Sequence, residues 1–118
     1  MKYLLLIYTE DDGPQGTPEE QAENMKAWFD YTGDMIAAGV HVAGDALLPT
    51  TTATSVRVRD GQRTTTDGPF AETKEVLGGY YLIDVPSLDE ALAWAEKCPA
   101  ALYGTIEVRP VAELPEAP

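Results

Sequence analysis

His41 is the chain's one histidine, and Asp45 follows it four residues later. Imidazole is the side chain whose ordinary pKa lies nearest neutrality, which suits it to a general base. In a regular strand the two residues point to the same face, with Cα atoms about 13 Å apart. That is too far for a direct hydrogen bond, unless a bulge at Gly44 or a turn shortens it. The competing reading is a strand histidine with no catalytic task. A second concentration of ionisable groups is Asp67, Glu72, Lys74 and Glu75. A turn needs no charges, so Glu72 or Lys74 either enters a pocket as an acid, base or anchor, or joins a salt-bridge network. The partners for such a network are one another, Arg57, Arg59 or Arg109. The candidate catalytic set is therefore His41, Asp67, Glu72 and Lys74. Tyr8, Phe70, Tyr81 and Arg109 are the candidate ligand-binding residues. One histidine and one cysteine leave only carboxylates as further ligands, so neither a metal nor another cofactor is expected.

Composition narrows the partners. The chain has 118 residues with 44% hydrophobic and 24% charged content, as in an ordinary globular protein. That length fits one domain, expected over residues 1–110, with residues 111–118 as a flexible tail. Twenty acidic against eight basic residues give a net charge of −12. Nucleic acid binding needs a positive footprint, and anionic membranes repel such a chain, so neither is expected as a partner. The apolar start, MKYLLLIY, runs into acidic residues, which reads as a strand and a cytoplasmic protein. Cys98 sits at the end of a helical pattern before Pro99 and reads as a packed thiol.

The elements that must position these groups follow from pattern. Lys2 to Tyr8 is a strand with apolar residues on both faces, Leu4, Leu6 and Tyr8 on one and Tyr3, Leu5 and Ile7 on the other. Thr17, Pro18 and Glu20 form a helix start, and Gly39 a stop. Between them Met25, Trp28, Phe29, Thr32, Met35 and Ile36 make one largely apolar face. Val40 to Leu47 is a second strand. Thr54 to Arg59 and Gln62 to Thr66 flank Asp60-Gly61, a two-residue hairpin turn. Gly79 to Val85 is the next strand, with Tyr80 and Tyr81 on opposite faces, one under the helices and one in a barrel interior. Gly78-Gly79 suggests a bulge or a close backbone approach and not a phosphate loop. Ser87 and Glu90 open a second helix with Leu88, Ala91, Leu92 and Ala95 inward. Tyr103 to Val108 is the last strand, with Glu107 and Arg109 placed for an ion pair on one face. The order β-α-β, hairpin, β-α-β is the split βαβ, ferredoxin-like α+β arrangement. Two helices cover one sheet face, so the other predicts a homodimer.

The run Thr66-Asp67-Gly68-Pro69-Phe70-Ala71-Glu72-Thr73-Lys74-Glu75 closely resembles the signature of the DGPF proteins, a branch of the YCII-related family. The likeness continues through Gly78-Gly79-Tyr80-Tyr81-Leu82-Ile83, the helix Leu88 to Trp94, and Glu107-Val108-Arg109-Pro110. The resemblance implies a dimeric α+β barrel. It implies less about activity, although some YCII-related proteins act on small ring compounds, a dehydrochlorinase among them. The better-studied YCII branch carries a His-Asp pair early in its chain. No histidine stands in the first helix here, so that pair does not carry over.

Two functions from different classes follow. One is a cofactor-independent enzyme acting on a small cyclic or aromatic molecule by acid-base chemistry. The other is a non-catalytic small-molecule-binding or accessory protein serving a sigma-factor or stress-response operon. In the DGPF run, Asp67 and Gly68 read as turn chemistry, Pro69 as a stiffener and Phe70 as an apolar anchor for the loop.

Overall fold

The computed structural model describes residues 1–10, 16–71 and 73–117. Its regular elements are β1 (Lys2–Thr9), α1 (Pro18–Ala37), β2 (His41–Ala46), β3 (Thr54–Arg59), β4 (Gln62–Asp67), β5 (Val76–Asp84), α2 (Leu88–Lys97) and β6 (Thr105–Pro110). Four strands form an antiparallel sheet in the order β2-β5-β1-β6, and β3 pairs with β4 as a separate hairpin. This is the ferredoxin-like α+β order with an inserted hairpin.

Both helices start where capping chemistry allows. The Thr17 hydroxyl accepts the Glu20 N–H at 3.1 Å, and the Ser87 hydroxyl accepts that of Glu90 at 3.3 Å. Gly39 leaves α1 with φ +74° and donates its N–H to the Ile36 carbonyl. At the hairpin tip, Asp60 and Gly61 both have positive φ (52° and 75°), the backbone that such a turn requires.

The core lies between one sheet face and the two helices. Tyr3, Leu5, Ile7, Ile83 and Val85 from the sheet side meet Tyr31 and Met35 of α1 and Ala91 and Ala95 of α2. Cys98 is buried in the same cluster, as its apolar setting suggested. The helix faces differ from those expected. On α1, Trp28, Tyr31 and Met35 turn inward, while Met25, Phe29 and Ile36 are exposed. On α2, Ala91 and Ala95 are buried, but Leu88 and Leu92 are exposed. Small residues let α2 approach the sheet closely, and the inward stripe of each helix is narrower than its apolar face, with Tyr31 added on α1.

Two irregularities shape the sheet edge. Tyr8 pairs with Leu77 while Ile7 pairs with Gly79, which leaves Gly78 as a bulged residue of β5. Gly79 is a close approach, since a Cβ there would stand 3.0 Å from the Asp45 carbonyl oxygen. On β2, His41 stands opposite Ile83, but Ala43 stands opposite Leu82 and Asp45 opposite Tyr80. Val42 is thus an extra residue, and the face of the strand flips across it. Directly opposed residues share a face, so His41 lies on the helix-covered side and Asp45 on the open side. The expectation that both share a face fails because of this bulge, which falls at Val42 and not at Gly44.

The open face carries Leu4, Leu6, Tyr8, Tyr80 and Leu82, all partly exposed. The β3–β4 hairpin exposes Val56 and Val58. A compact chain of this length has a radius of gyration of about 13–14 Å, whereas this one has 16.6 Å and principal extents of 48 × 48 × 19 Å. The hairpin, a sheet of its own, contributes to the excess. Among the described residues, no helix is long and apolar enough to cross a membrane.

Candidate functional site

Between α1 and the β2–β5 edge of the sheet lies an open cavity of about 500 Å³. That volume is within the ordinary range for small-molecule sites. Trp28, Phe29 and Thr32 of α1 form one wall, and His41 and Gly44 of β2 with Tyr81 of β5 form the other. The walls are aromatic and mutually braced. The Trp28 and Tyr81 rings stack with centroids 6.4 Å apart and planes inclined at 16°. Tyr31 meets both edge-on, at 6.3 Å and 5.5 Å. Its own hydroxyl donates to the Trp94 carbonyl at 2.6 Å, which locks α1 to α2 beneath the cavity. His41 lies edge-on to Tyr81 at 6.0 Å. Such contacts hold rings in place beyond what area burial alone would do.

Polar groups are few and local. The Tyr81 and Thr32 hydroxyls share a hydrogen bond of 2.6 Å, in which either can donate. Burial raises the Tyr81 phenol above its ordinary value, so it stays a neutral donor at physiological pH. At the cavity edge, Tyr80 donates to Asp45 Oδ2 at 2.7 Å, and that bond holds its proton in place. Among the described residues lining the cavity there is no lysine or arginine. Residues 11–15, 72 and 118 contain none either. His41 is thus the only side chain of the lining able to carry a positive charge. Among the described residues, no three His, Cys, Asp or Glu side chains gather as a metal ion would require.

The residues singled out from sequence converge only in part. His41 and Tyr81 share the cavity just described, and Asp45 lies at its edge. Tyr8 lies on the opposite sheet face, in a second hollow with Pro69, Thr73 and Leu77. Asp67 ends β4 and is exposed. Lys74 pairs with Glu10 at 3.2 Å in solvent, and Glu75 accepts the Thr105 hydroxyl at 2.7 Å. Neither contact was among the partners expected for this loop, because both are made to strand ends distant in sequence. Glu72 lies outside the described residues. Phe70 is 75% exposed and carries the Arg57 guanidinium over its ring at 4.8 Å, so it does not anchor the loop in an apolar pocket. The loop is tied down instead by Gly68, whose N–H donates to the Ala53 carbonyl and whose carbonyl accepts the Ser55 hydroxyl at 2.9 Å. Arg109 pairs with Glu107 on the open face, as their spacing suggested. Tyr81, the tyrosine under the helices, forms the aromatic wall, while Tyr80 reaches the cavity only at its edge.

The sequence signature of the YCII-related domain matches residues 1–115. The chain belongs to the YCII-related family. One relative is an uncharacterised protein of Rhizobium meliloti (strain 1021), 39% identical over 115 residues, which are 95% of this chain and 93% of the relative. In structure the chain is similar to 5-chloro-2-hydroxyhydroquinone dehydrochlorinase from Burkholderia phenoliruptrix AC1100, solved in complex with 2,5-dihydroxybenzoquinone. The TM-score is 0.53 and the identity 19%, covering 95% of this chain and 94% of the other. At that identity the likeness speaks for the fold. Within this YCII-related chain, Tyr31 and Gly44 are the site-shaping residues that sequence reading passed over. The spacing of Trp28, Tyr31, Thr32 and Met35, at i, i+3, i+4 and i+7, held the signal for Tyr31.

Buried acids around the core carry a pH consequence. Burial pushes the Cys98 thiol and the Tyr31 and Tyr81 phenols above their ordinary values. In the unfolded chain these groups release their protons at ordinary values, while the folded chain keeps them. The unfolded state then binds fewer protons, and stability falls as pH rises. The urea midpoint is expected to be level through neutrality as far as these groups act, and to drop between about pH 9 and 11. A midpoint unchanged at pH 10.5 would contradict this assignment.

Proposed function

We propose that the cavity beside α1 is the working site of a cofactor-independent enzyme that moves protons on a small hydroxylated ring compound. The observation that carries this reading is a single imidazole, His41, set against a wall of stacked rings with the Tyr81–Thr32 hydroxyl pair beside it. Flat aromatic walls suit a planar ligand, and a neutral phenol nearby can hydrogen-bond a ring oxygen. His41 would take a hydroxyl proton and return one to ring carbon, which is ordinary general acid-base work. The dehydrochlorinase of similar fold, with its dihydroxybenzoquinone, supports this class of ligand. The second reading, binding without turnover, is favoured by the dispersal of Asp67 and Lys74 away from the cavity.

We further propose that the protein, taken as cytoplasmic and of the DGPF type, forms a homodimer. The partly apolar open face, with Leu4, Leu6 and Leu82, and the outstanding hairpin with Val56 and Val58 support this. Exposed apolar area of that extent favours association.

The cavity's charge makes the reading testable. With no lysine or arginine in its lining, a ligand carboxylate would lose its hydration without a fixed cationic partner. Hydroquinone is expected to raise the melting temperature, and its carboxylated analogue 2,5-dihydroxybenzoate to raise it much less. Equal stabilisation by both, or by neither, would refute the assignment of a neutral ring ligand to this cavity.

A further inference from the structure

Gly44 lies within the edge strand β2, directly opposite Tyr81 of β5. A Cβ built on Gly44 would stand 2.7 Å from Cδ1 and 3.1 Å from Cε1 of the Tyr81 ring, and 3.0 Å from the Tyr80 carbonyl oxygen. Comfortable carbon–carbon contacts lie at about 3.5–4.0 Å. The Tyr81 ring therefore occupies the space that any side chain at position 44 would need. Backbone conformation does not demand the glycine, because its φ is not among the positive values of the chain. Space is the constraint.

Folding an aromatic ring across a strand pair onto a glycine is a known way to cover an edge strand. Here the same placement has consequences on the other side of the ring. It brings the Tyr81 hydroxyl to Thr32, lays the ring face on Trp28 and sets it edge-on to His41. A ring pushed off Gly44 could not keep all three contacts, since they fix its position, tilt and hydroxyl direction together.

We propose that Gly44 is a positioning residue of the ligand cavity: by leaving room for the Tyr81 ring, it sets the wall against which a ring ligand packs. This rests on reading the cavity as a ligand site, but the geometric part can be tested without any ligand. The first arm is a double-mutant cycle on stability with Gly44→Ala and Tyr81→Ala. The loss in melting temperature caused by Gly44→Ala should shrink markedly once the ring is gone, leaving only the strain against the Tyr80 carbonyl. Near-UV circular dichroism should also change in Gly44→Ala, because Trp28 loses its stacked neighbour. If Gly44→Ala alone fails to fold, rescue by Tyr81→Ala supports the proposal, and failure in both backgrounds overturns it. Strictly additive losses overturn it as well.

The second arm reads function by calorimetric titration with hydroquinone. Gly44→Ala is expected to weaken binding by about tenfold or more, as a displaced site group does. Val85→Ala, a core substitution away from the cavity, serves as the control for general destabilisation and should bind within about twofold of the parent chain. Parent-like affinity in Gly44→Ala overturns the proposal, as does an equal loss in Val85→Ala. If the parent chain does not bind hydroquinone at all, the ring-ligand reading falls, and the stability cycle decides the geometric claim on its own.

Discussion

If the proposed acid-base activity holds, replacing His41 by alanine is expected to lower turnover of a hydroxylated ring compound, assayed as chloride release from chlorohydroquinone, by about 10²- to 10⁴-fold, the usual contribution of a positioned general acid-base. Loss of HCl from that compound leaves benzoquinone and needs no oxidant, only proton removal from the hydroxyls and protonation of the chlorine-bearing carbon. His41 is the one imidazole in the chain and it sits against Tyr81 in the cavity. Asp45 reaches the same cavity only at its edge, where its carboxylate accepts the Tyr80 hydroxyl, and the bulge at Val42 sets it off the face that His41 shares with Tyr81. Lys74 is engaged with Glu10 in solvent. The substitution should leave the fold intact, since His41 is only partly buried on an edge strand. Hydroquinone should still bind, because Trp28 and Tyr81 remain. Retained binding with lost turnover identifies His41 as the proton-transfer group. Undiminished turnover would remove it from that role, and a parent chain inert toward every hydroxylated ring would favour binding without catalysis.

The second large effect is on stability. Leu5→Ala is expected to cost about 2–5 kcal/mol, the range for emptying a fully packed aliphatic site. Leu5 has no exposed area and lies on the central strand β1, opposite Tyr81 on one side and Val108 on the other. The side chain cannot be replaced by local collapse, since both neighbours are held by sheet register and the helices close the third side. Against a total stability of about 5–15 kcal/mol, that loss is severe. Urea unfolding followed by far-UV circular dichroism measures it, and a cost below about 1 kcal/mol would contradict the packing described. Leu4 and Leu6 offer an internal comparison on the open face. Their truncation should cost little in a dilute monomer and more as concentration rises, if a second copy covers that face.

These two residues illustrate how far sequence reading reached. The strand around Leu5 was legible because the run is short, β-favouring and bounded by the turn residues Asp11-Asp12-Gly13-Pro14. The helix starts at Thr17 and Ser87, the Gly39 stop and the Asp60-Gly61 turn were legible because capping and turn chemistry are local. The ferredoxin-like order followed from the sequence of elements, and the family match covers the chain. The charged loop promised most and yielded least. Its type of residue said that partners were needed, but the partners are at Glu10 and Thr105, at the ends of strands remote in sequence.

By itself, then, the amino-acid order determined the elements, their sequence, the acidic balance and the single imidazole, because each depends on neighbours along the chain. Tertiary structure alone decided which helix stripe faces inward, since the apolar residues cover more of each helix than the sheet contacts. It alone decided that His41 and Asp45 leave β2 on opposite faces, since one bulged residue reverses a strand's faces. It also decided that a glycine opposite a tyrosine shapes the cavity, since close contact across a sheet is a property of register and leaves no mark in local composition.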